Sequence, residues 1–406
     1  MLQSVNRLRE ETVEARILFT GDLCAIHRVE RMLTDGDIAG AFGSTRALFQ
    51  EADLTVVNLE APLCRDLAPV PKLGPPFMAD PRVAEALRDV PVHVACLANN
   101  HVMDRGADGL LQTLAALDGA GILYVGGGKT PAEAAAGLEV DVGGLAVVLL
   151  NSATVEGAIP LDGPGAARID HLRCRRLVSE SAGRGAFVIP ILHTGKEQVP
   201  LPSPGMRQLC KELIDAGAAA VIGHHPHVPQ GIEIYGNRPI VYSLGNFLFD
   251  WQEPEPETDV SFLFELGLSS NGVAEFRVHP VGKSRTGGAE LLAGAAGKDF
   301  YALLADLSAP FADKLEYQTL WTEQCRGLFE SWYLPRVKRM GDMDSEDEEK
   351  RRKAYLTLLN LLENDEHGEV LKRAVLERAT GGAETDPIAR ERLDDWMVRM
   401  QGLGGS

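Results

Sequence analysis

Short apolar runs alternate with helix-patterned segments through most of this chain, and an alternation of that kind restricts it to an α/β fold. The runs are ARILFTGD, DLTVVNLE, PVHVACLANNH, GILYVGG, LAVVLLNSA, AFVIPILH and AAAVIGHH. Between them PRVAEALRDV, ADGLLQTLAALDGAG and SPGMRQLCKELIDAGA repeat apolar residues at three and four, the helical period. A later block, RPIVYSLGNFLFD, VSFLFELGLS and VAEFRVHPVG, reads as strands joined by turns, which predicts antiparallel pairing. Near position 285 the character changes. SRTGGAELLAGAAG reads as a linker, and a boundary near 290 divides residues 16–290 from a charged helical region, 291–406. Helices are predicted there at 297–308, 314–340, 346–363 and 366–379, with Pro335 bending the second, and the tail MQGLGGS is expected to be unstructured.

Charge and cysteine usage narrow the function. With 40 Lys+Arg against 58 Asp+Glu the formal charge is -18, which repels phosphate backbones and anionic lipid, so no nucleic-acid partner is expected. The six cysteines are scattered without ligand-like spacing, which fits reduced thiols in a cytosol. MLQSVNRLREETVEAR carries charges where a signal peptide needs an apolar core, and no run approaches the roughly 20 apolar residues of a membrane span. The expectation is a soluble, cytoplasmic protein.

The polar residues gather at the C-terminal ends of the apolar runs, and in an open α/β sheet those ends converge on one crevice where ligands bind. Asp22 closes the first run, Asn58 and Glu60 the second, Asn99, Asn100 and His101 the third, Asn151 a later one, His193 another, and His224, His225 and His227 the last. Carboxylates, an amide oxygen and several imidazoles brought together suit a divalent Zn, Mn, Fe or Co ion, and two ions can share a bridging carboxylate. Any single histidine is more simply a core or loop residue. The cluster Gly-His-His-Pro-His is not, because three imidazoles at one strand end have no packing rationale.

Six stretches carry a family resemblance: FTGD at 19–22, VVNLEAPL at 56–63, LANNHVMDRGADGL at 97–110, HTGKE at 193–197, LIDAGAAAVIGHHPHVPQGIEIY at 213–235 and IVYSLGNFLFD at 240–250. They resemble, in order and spacing, the bacterial capsule-synthesis CapA family, also called the poly-gamma-glutamate synthesis family, which looks like a branch of the calcineurin-like metallophosphoesterases. The resemblance implies a four-layer α/β/β/α sandwich with a dinuclear metal site, followed here by a C-terminal helical extension. It implies metal-ligand roles for Asp22, Glu60, Asn100, His193, His225 and His227, and a general-acid role for His101. His224 stays open as an alternative to His225. Two positions depart from the superfamily pattern. Asp22 is followed by Leu23 and Cys24 where Asp-x-His is usual, so an imidazole is missing unless Cys24 or His27 replaces it, and Asn58-Leu59-Glu60 stands where Gly-Asp is usual.

Asp104 lies three residues after His101, where it either orients the imidazole or caps a helix. Lys196 and Glu197 follow His193 as substrate contacts or solvated charges, and Asn246 is a family-motif position or a turn residue. The glycines of GGGK at 126–129 fit a strand-to-helix turn better than a phosphate cradle. His367, in ENDEHGEV, sits at an acidic helix start where a solvated or capping role is expected. These readings converge on a metal-dependent hydrolase acting on an anionic polymer, peptide or phosphoester. The alternative is a non-catalytic metal-containing subunit that binds a poly-gamma-glutamate-like polymer or peptide and docks a partner ligase through its C-terminal helices.

Overall fold

Two twisted sheets, one of nine strands and one of six, pack face to face in the computed structural model, which describes residues 4–154, 162–250, 258–381 and 385–404. In the first sheet Ala15–Leu23, Leu54–Leu59, Val94–Cys96 and Leu123–Val125 run parallel in that order. The long antiparallel pair Val260–Ser269 and Gly272–Lys283 extends it on the far side of Ala15–Leu23. In the second sheet Leu145–Ala153, Phe187–His193, Val221–His224 and Arg238–Val241 are parallel neighbours.

Three apolar clusters define the layers. Ile17, Phe19, Leu149, Ile191, Phe262 and Phe264 fill the space between the sheets. Val29, Phe42, Leu87 and Leu117, from helices after the early strands, cover the outer face of the first sheet. Val178, Leu209 and Leu213, from His171–Ala182 and Pro204–Asp215, cover the second. The result is the four-layer α/β/β/α sandwich. Helix Gly106–Ala120 ends where the glycine of DGAG suggests, at Gly121 with φ 72°.

Where the chain departs from the sequence reading, tertiary pairing decides. Arg238–Val241 and Asn246–Leu248 were expected to pair antiparallel throughout the block, but Arg238–Val241 runs parallel to Val221–His224 as well as antiparallel to Ile232–Tyr235. Asn246–Leu248 joins the other sheet, parallel to Ala15–Leu23. That switch needs Gly21, since a Cβ there would lie 2.1 Å from the carbonyl oxygen of Gly245. The supposed linker contains a strand, Ala289–Leu291, paired with Gly272–Lys283. Of the tail expected to be unstructured, residues 400–404 belong to a helix, Pro387–Gly404, whose Trp396, Met400 and Leu403 are buried, and the last two residues lie outside the described ones.

That last helix and Gly294–Ser308 enter the cluster between the sheets through Phe300, Leu303, Leu304, Leu307 and Trp396. The intervening helices Lys314–Leu328, Glu348–Glu363 and Asp365–Ala379 enclose a smaller core of Trp321, Cys325, Tyr333, Leu361 and Val370. They clamp the segment after His193: Gln324 exchanges side-chain hydrogen bonds with the backbone of Leu201, Tyr317 donates to Pro202 O, and Ser203 donates to Glu366.

Candidate metal centre

Parallel strands in register bring their last residues together. Asp22 is paired with Asn58 and with Asn246 in the first sheet, and His193 with His224 in the second. Because the two sheets face each other, both rows of ends meet in one crevice, and the short loops that follow add Glu60, Asn99–Asp104 and His225–His227.

Asp22, Glu60, His193, His225 and His227 are all at most 3% exposed. Three overlapping groups place one donor atom from each member within 4.8 Å of the others: Glu60, His193 and His225; Asp22, Glu60 and His227; and Glu197, His225 and His227. His193 Nε2 lies 2.9 Å from Asn100 Oδ1 and 3.7 Å from Glu60 Oε1, and His227 Nε2 lies 3.7 Å from that same Glu60 oxygen. His227 Nδ1 is 2.9 Å from Asn246 Oδ1 and 3.3 Å from Asp22 Oδ2. The loop that supplies the last imidazoles is strained, with φ 99° at His225 and 61° at His227. Left-handed backbone at non-glycine residues costs on the order of 1–3 kcal/mol each and is concentrated at functional sites.

The amides hold this arrangement in place. Asn58 donates to Asp22 Oδ1 at 2.8 Å, and Asn99 donates to Leu59 O at 2.8 Å while accepting from the backbone N–H groups of His101 and Val102. Asn151 accepts from the Ala98 backbone N–H at 2.7 Å, so it stitches the Asn-Asn-His loop to the second sheet. His224 turns away from the cluster, its Nε2 2.8 Å from Thr20 O, and it belongs to none of the donor groups, which favours His225 at the open choice. Neither Cys24 nor His27 belongs to those groups among the described residues. Burial, reinforced by Glu60, pushes the Cys24 thiol well above its usual range, which keeps it protonated.

His101 lies beside the donors. Its Nδ1 is 2.7 Å from Asp104 Oδ2, and its ring stacks on Phe77 with centroids 4.1 Å apart. Asp104 also accepts from Lys72 Nζ at 2.7 Å and from the Phe77 backbone N–H at 2.6 Å, so it orients the ring; Arg105, not Asp104, stands at the helix N-cap. Burial, with help from the Lys72 ammonium, brings the His101 pKa down to about 4 against the pull of Asp104. Lys72 and Phe77 carried no signal in the sequence, since both lie in an irregular proline-rich loop. Glu197, read as a substrate contact, comes close enough to His225 and His227 to join the donors. Desolvation would raise its pKa, but Lys196 and the two imidazoles hold it down to about 2.

The residues fit a divalent cation. Glu60 Oε1 and His225 Nδ1 are buried with no hydrogen-bond partner, a costly condition unless something else satisfies them. The electrostatics agree. Burial and the Asp22 charge push Glu60 well above the usual carboxylate range. Burial would lower His227, but Glu60 and Asp22 override it and hold the imidazolium up to about 10. The charges of Asp22 and Glu60 thus favour positive charge at this spot.

A four-layer α/β/β/α sandwich with an acid–imidazole centre at the C-terminal strand ends is the class that fold and site define. The model of the bacterial capsule synthesis protein family PGA_cap matches residues 16–251, more than half of the 406, and the chain belongs to that family. It is 29% identical over 269 residues to the PGA biosynthesis protein CapA of Bacillus subtilis, covering 65% of this chain and 70% of that one. It is 34% identical over 210 residues to the capsule biosynthesis protein CapA of Bacillus anthracis, covering 50% and 51%. It is 32% identical over 214 residues to a probable polyglutamine synthesis accessory protein of Mycobacterium tuberculosis, covering 49% and 56%. The chain thus spans only about half the length of the last two relatives. No helix among the described residues is long and apolar enough to cross a membrane.

Proposed function

We propose that this chain is a metal-dependent hydrolase of an anionic polymer, peptide or phosphoester, with one or two divalent ions (Mn, Zn, Fe or Co) held by Asp22, Glu60, Asn100, His193, His225 and His227. The observation that carries this reading is the overlap of the donor groups: Glu60 belongs to two of them, and its Oε1 is buried with no hydrogen-bond partner. A carboxylate so placed suits a bridging position. An ion bound there supplies Lewis acidity and a water more acidic than bulk. Residues 16–290 carry every donor, and residues 291–406 act as a layer over the site.

His101 handles the proton. With Nδ1 on Asp104 and a pKa near 4, the imidazole is neutral at pH 7 and its Nε2 is the acceptor. It therefore takes a proton before it delivers one to the leaving group. Asp104 fixes tautomer and ring orientation, and Lys72 fixes Asp104. Asn58 and Asn246 orient Asp22 and His227, and Asn99 orders the loop that carries Asn100 and His101.

A second reading, a non-catalytic subunit that binds a poly-gamma-glutamate-like polymer and a partner ligase, draws support from the exposed apolar residues Tyr355, Leu359 and Leu362 on one helix, and from a relative named an accessory protein. Elemental analysis together with assays on p-nitrophenyl phosphate and on γ-glutamyl oligomers separates the two. The hydrolase reading expects at least one equivalent of metal and turnover that stops on chelation. Oligomer binding without turnover of either substrate supports the subunit reading.

A further inference from the structure

The family match ends at residue 251, yet the pocket over the centre is completed from beyond it. A cavity of about 290 Å³ has His101, His225 and His227 on one side and Trp332, Arg336 and His367 on the other. His367, expected to be solvated or to cap a helix, is instead 4% exposed, and Asn364 takes the N-cap of Asp365–Ala379. The ring of His367 stacks on Trp332 with centroids 4.8 Å apart, and its Nδ1 lies 2.8 Å from the Tyr333 hydroxyl.

Trp332 and Tyr333 are presented by a π-helical turn, Phe329–Tyr333, set between Lys314–Leu328 and Leu334–Arg339. Such turns break the helical ladder and are found mostly where a function needs the altered side-chain directions. Trp332 in turn anchors two cations: the Arg336 guanidinium lies 3.4 Å from the ring centroid and the Lys196 ammonium 4.6 Å from it. Lys196 also has Glu197 at 3.9 Å. Arg336 differs. One of its terminal nitrogens donates to Trp332 O at 3.1 Å, which fixes the group, but its Nε is buried with no hydrogen-bond partner, and no carboxylate among the described residues pairs with it. Glu197 lines the same pocket within electrostatic reach but forms no ion pair with it, and a planar, preorganised guanidinium free of a direct carboxylate contact, on the wall of a pocket, is suited to an oxyanion.

We propose that Arg336, stacked on Trp332 and backed by His367, forms an oxyanion subsite that binds a carboxylate or phosphate of the substrate remote from the bond acted upon. The proposal rests on the reading that the adjoining centre is where substrate binds. It gives the C-terminal layer a direct part in recognition, and it places the subsite outside the segment matched by the family.

Calorimetric titration of the full chain, loaded with manganese, tests this with three probes: glutarate, inorganic phosphate and the neutral glutaramide. Arg336→Gln is expected to weaken at least one anion by about tenfold or more, with glutaramide unaffected and bound manganese unchanged. Arg336→Lys, which keeps the charge and the aliphatic stem, is expected to fall between wild type and Arg336→Gln. Weakening of glutarate alone identifies a carboxylate as the group recognised, and weakening of phosphate alone a phosphoryl group. Anions that bind wild type and Arg336→Gln equally, or that fail to bind wild type at millimolar concentration, overturn the subsite. Manganese absent from wild type, with Arg336-dependent glutarate binding retained, removes the metal reading and leaves the subsite standing.

Discussion

The sandwich and the helical layer behind it were built by different rules. In the sandwich, parallel strands in register carry chemistry to fixed places, so that Asp22, Asn58, His193 and His224 fall at neighbouring strand ends through pairing alone. In the C-terminal layer no such register exists. What Trp332, Arg336 and His367 face depends on how one helix rotates against its neighbours and on a single π-helical turn. A strand end announces its position, whereas a helix face is settled only by packing.

Removing the layer should have the largest effect. Truncation after residue 290 takes Phe300, Leu303, Leu304, Leu307, Trp396 and Met400 out of the core between the sheets. At about 1.5–3 kcal/mol for each buried side chain, their loss rivals the roughly 5–15 kcal/mol by which a whole domain is stable. Thermal circular dichroism of the truncated chain should show no cooperative transition. A cooperative melt would show that residues 16–290 fold without the helical layer.

Within the sandwich, Glu60→Gln and His225→Ala should each leave a folded protein that retains no metal after dialysis, because each removes a member of two donor groups. Full metal retention in either variant would take that residue out of the ligand set. His101→Ala should keep the metal and lose about 10²-fold to 10⁴-fold in turnover, the usual contribution of a proton-transfer group. Metal loss in that variant would make His101 a ligand.

Metal affinity should rise with pH. His227 is held up to about 10 by Glu60 and Asp22 against the pull of burial, so it keeps a proton at neutrality that an entering ion must displace. The gain is about tenfold per pH unit for each proton displaced, and competition titrations with a chelator at pH 6 and pH 8 measure it. Equal affinities would mean that the donors are already deprotonated. Asp104→Asn should be milder still, about tenfold in turnover. Its bond to His101 weakens, while Lys72 can still contact the neutral amide and the Asn100 carbonyl. A loss as large as that of His101→Ala would show that the Asp104 charge, and not ring orientation, matters.

The contrast also explains how much was legible in the sequence. Apolar runs ending in Asp22, Glu60, His193 and the Gly-His-His-Pro-His segment disclosed the α/β class and the candidate donors, because strand periodicity and strand ends are local features, whereas the four-layer sandwich followed from the family resemblance. The choice between His224 and His225 was not local. What favours His225 is the bond between His224 and Thr20 O, made by a strand of the opposite sheet. Lys72 lies in an irregular loop, and His367 in an acidic segment that reads as solvated until the stack on Trp332 is seen. The strand at Ala289–Leu291 and the helix that runs into the glycine-rich tail were hidden for the same reason: each is held by partners far along the chain.

The claim on which the account stands is that the acid–imidazole cluster holds a divalent ion. Crystals of the full chain grown with manganese, measured at a wavelength where manganese scatters anomalously, test it directly. One or two anomalous peaks are expected among Glu60, His193, His225 and His227, with ligand distances of about 2.0–2.3 Å. Well-ordered side chains there with no anomalous peak, or a peak held by other residues, would contradict it.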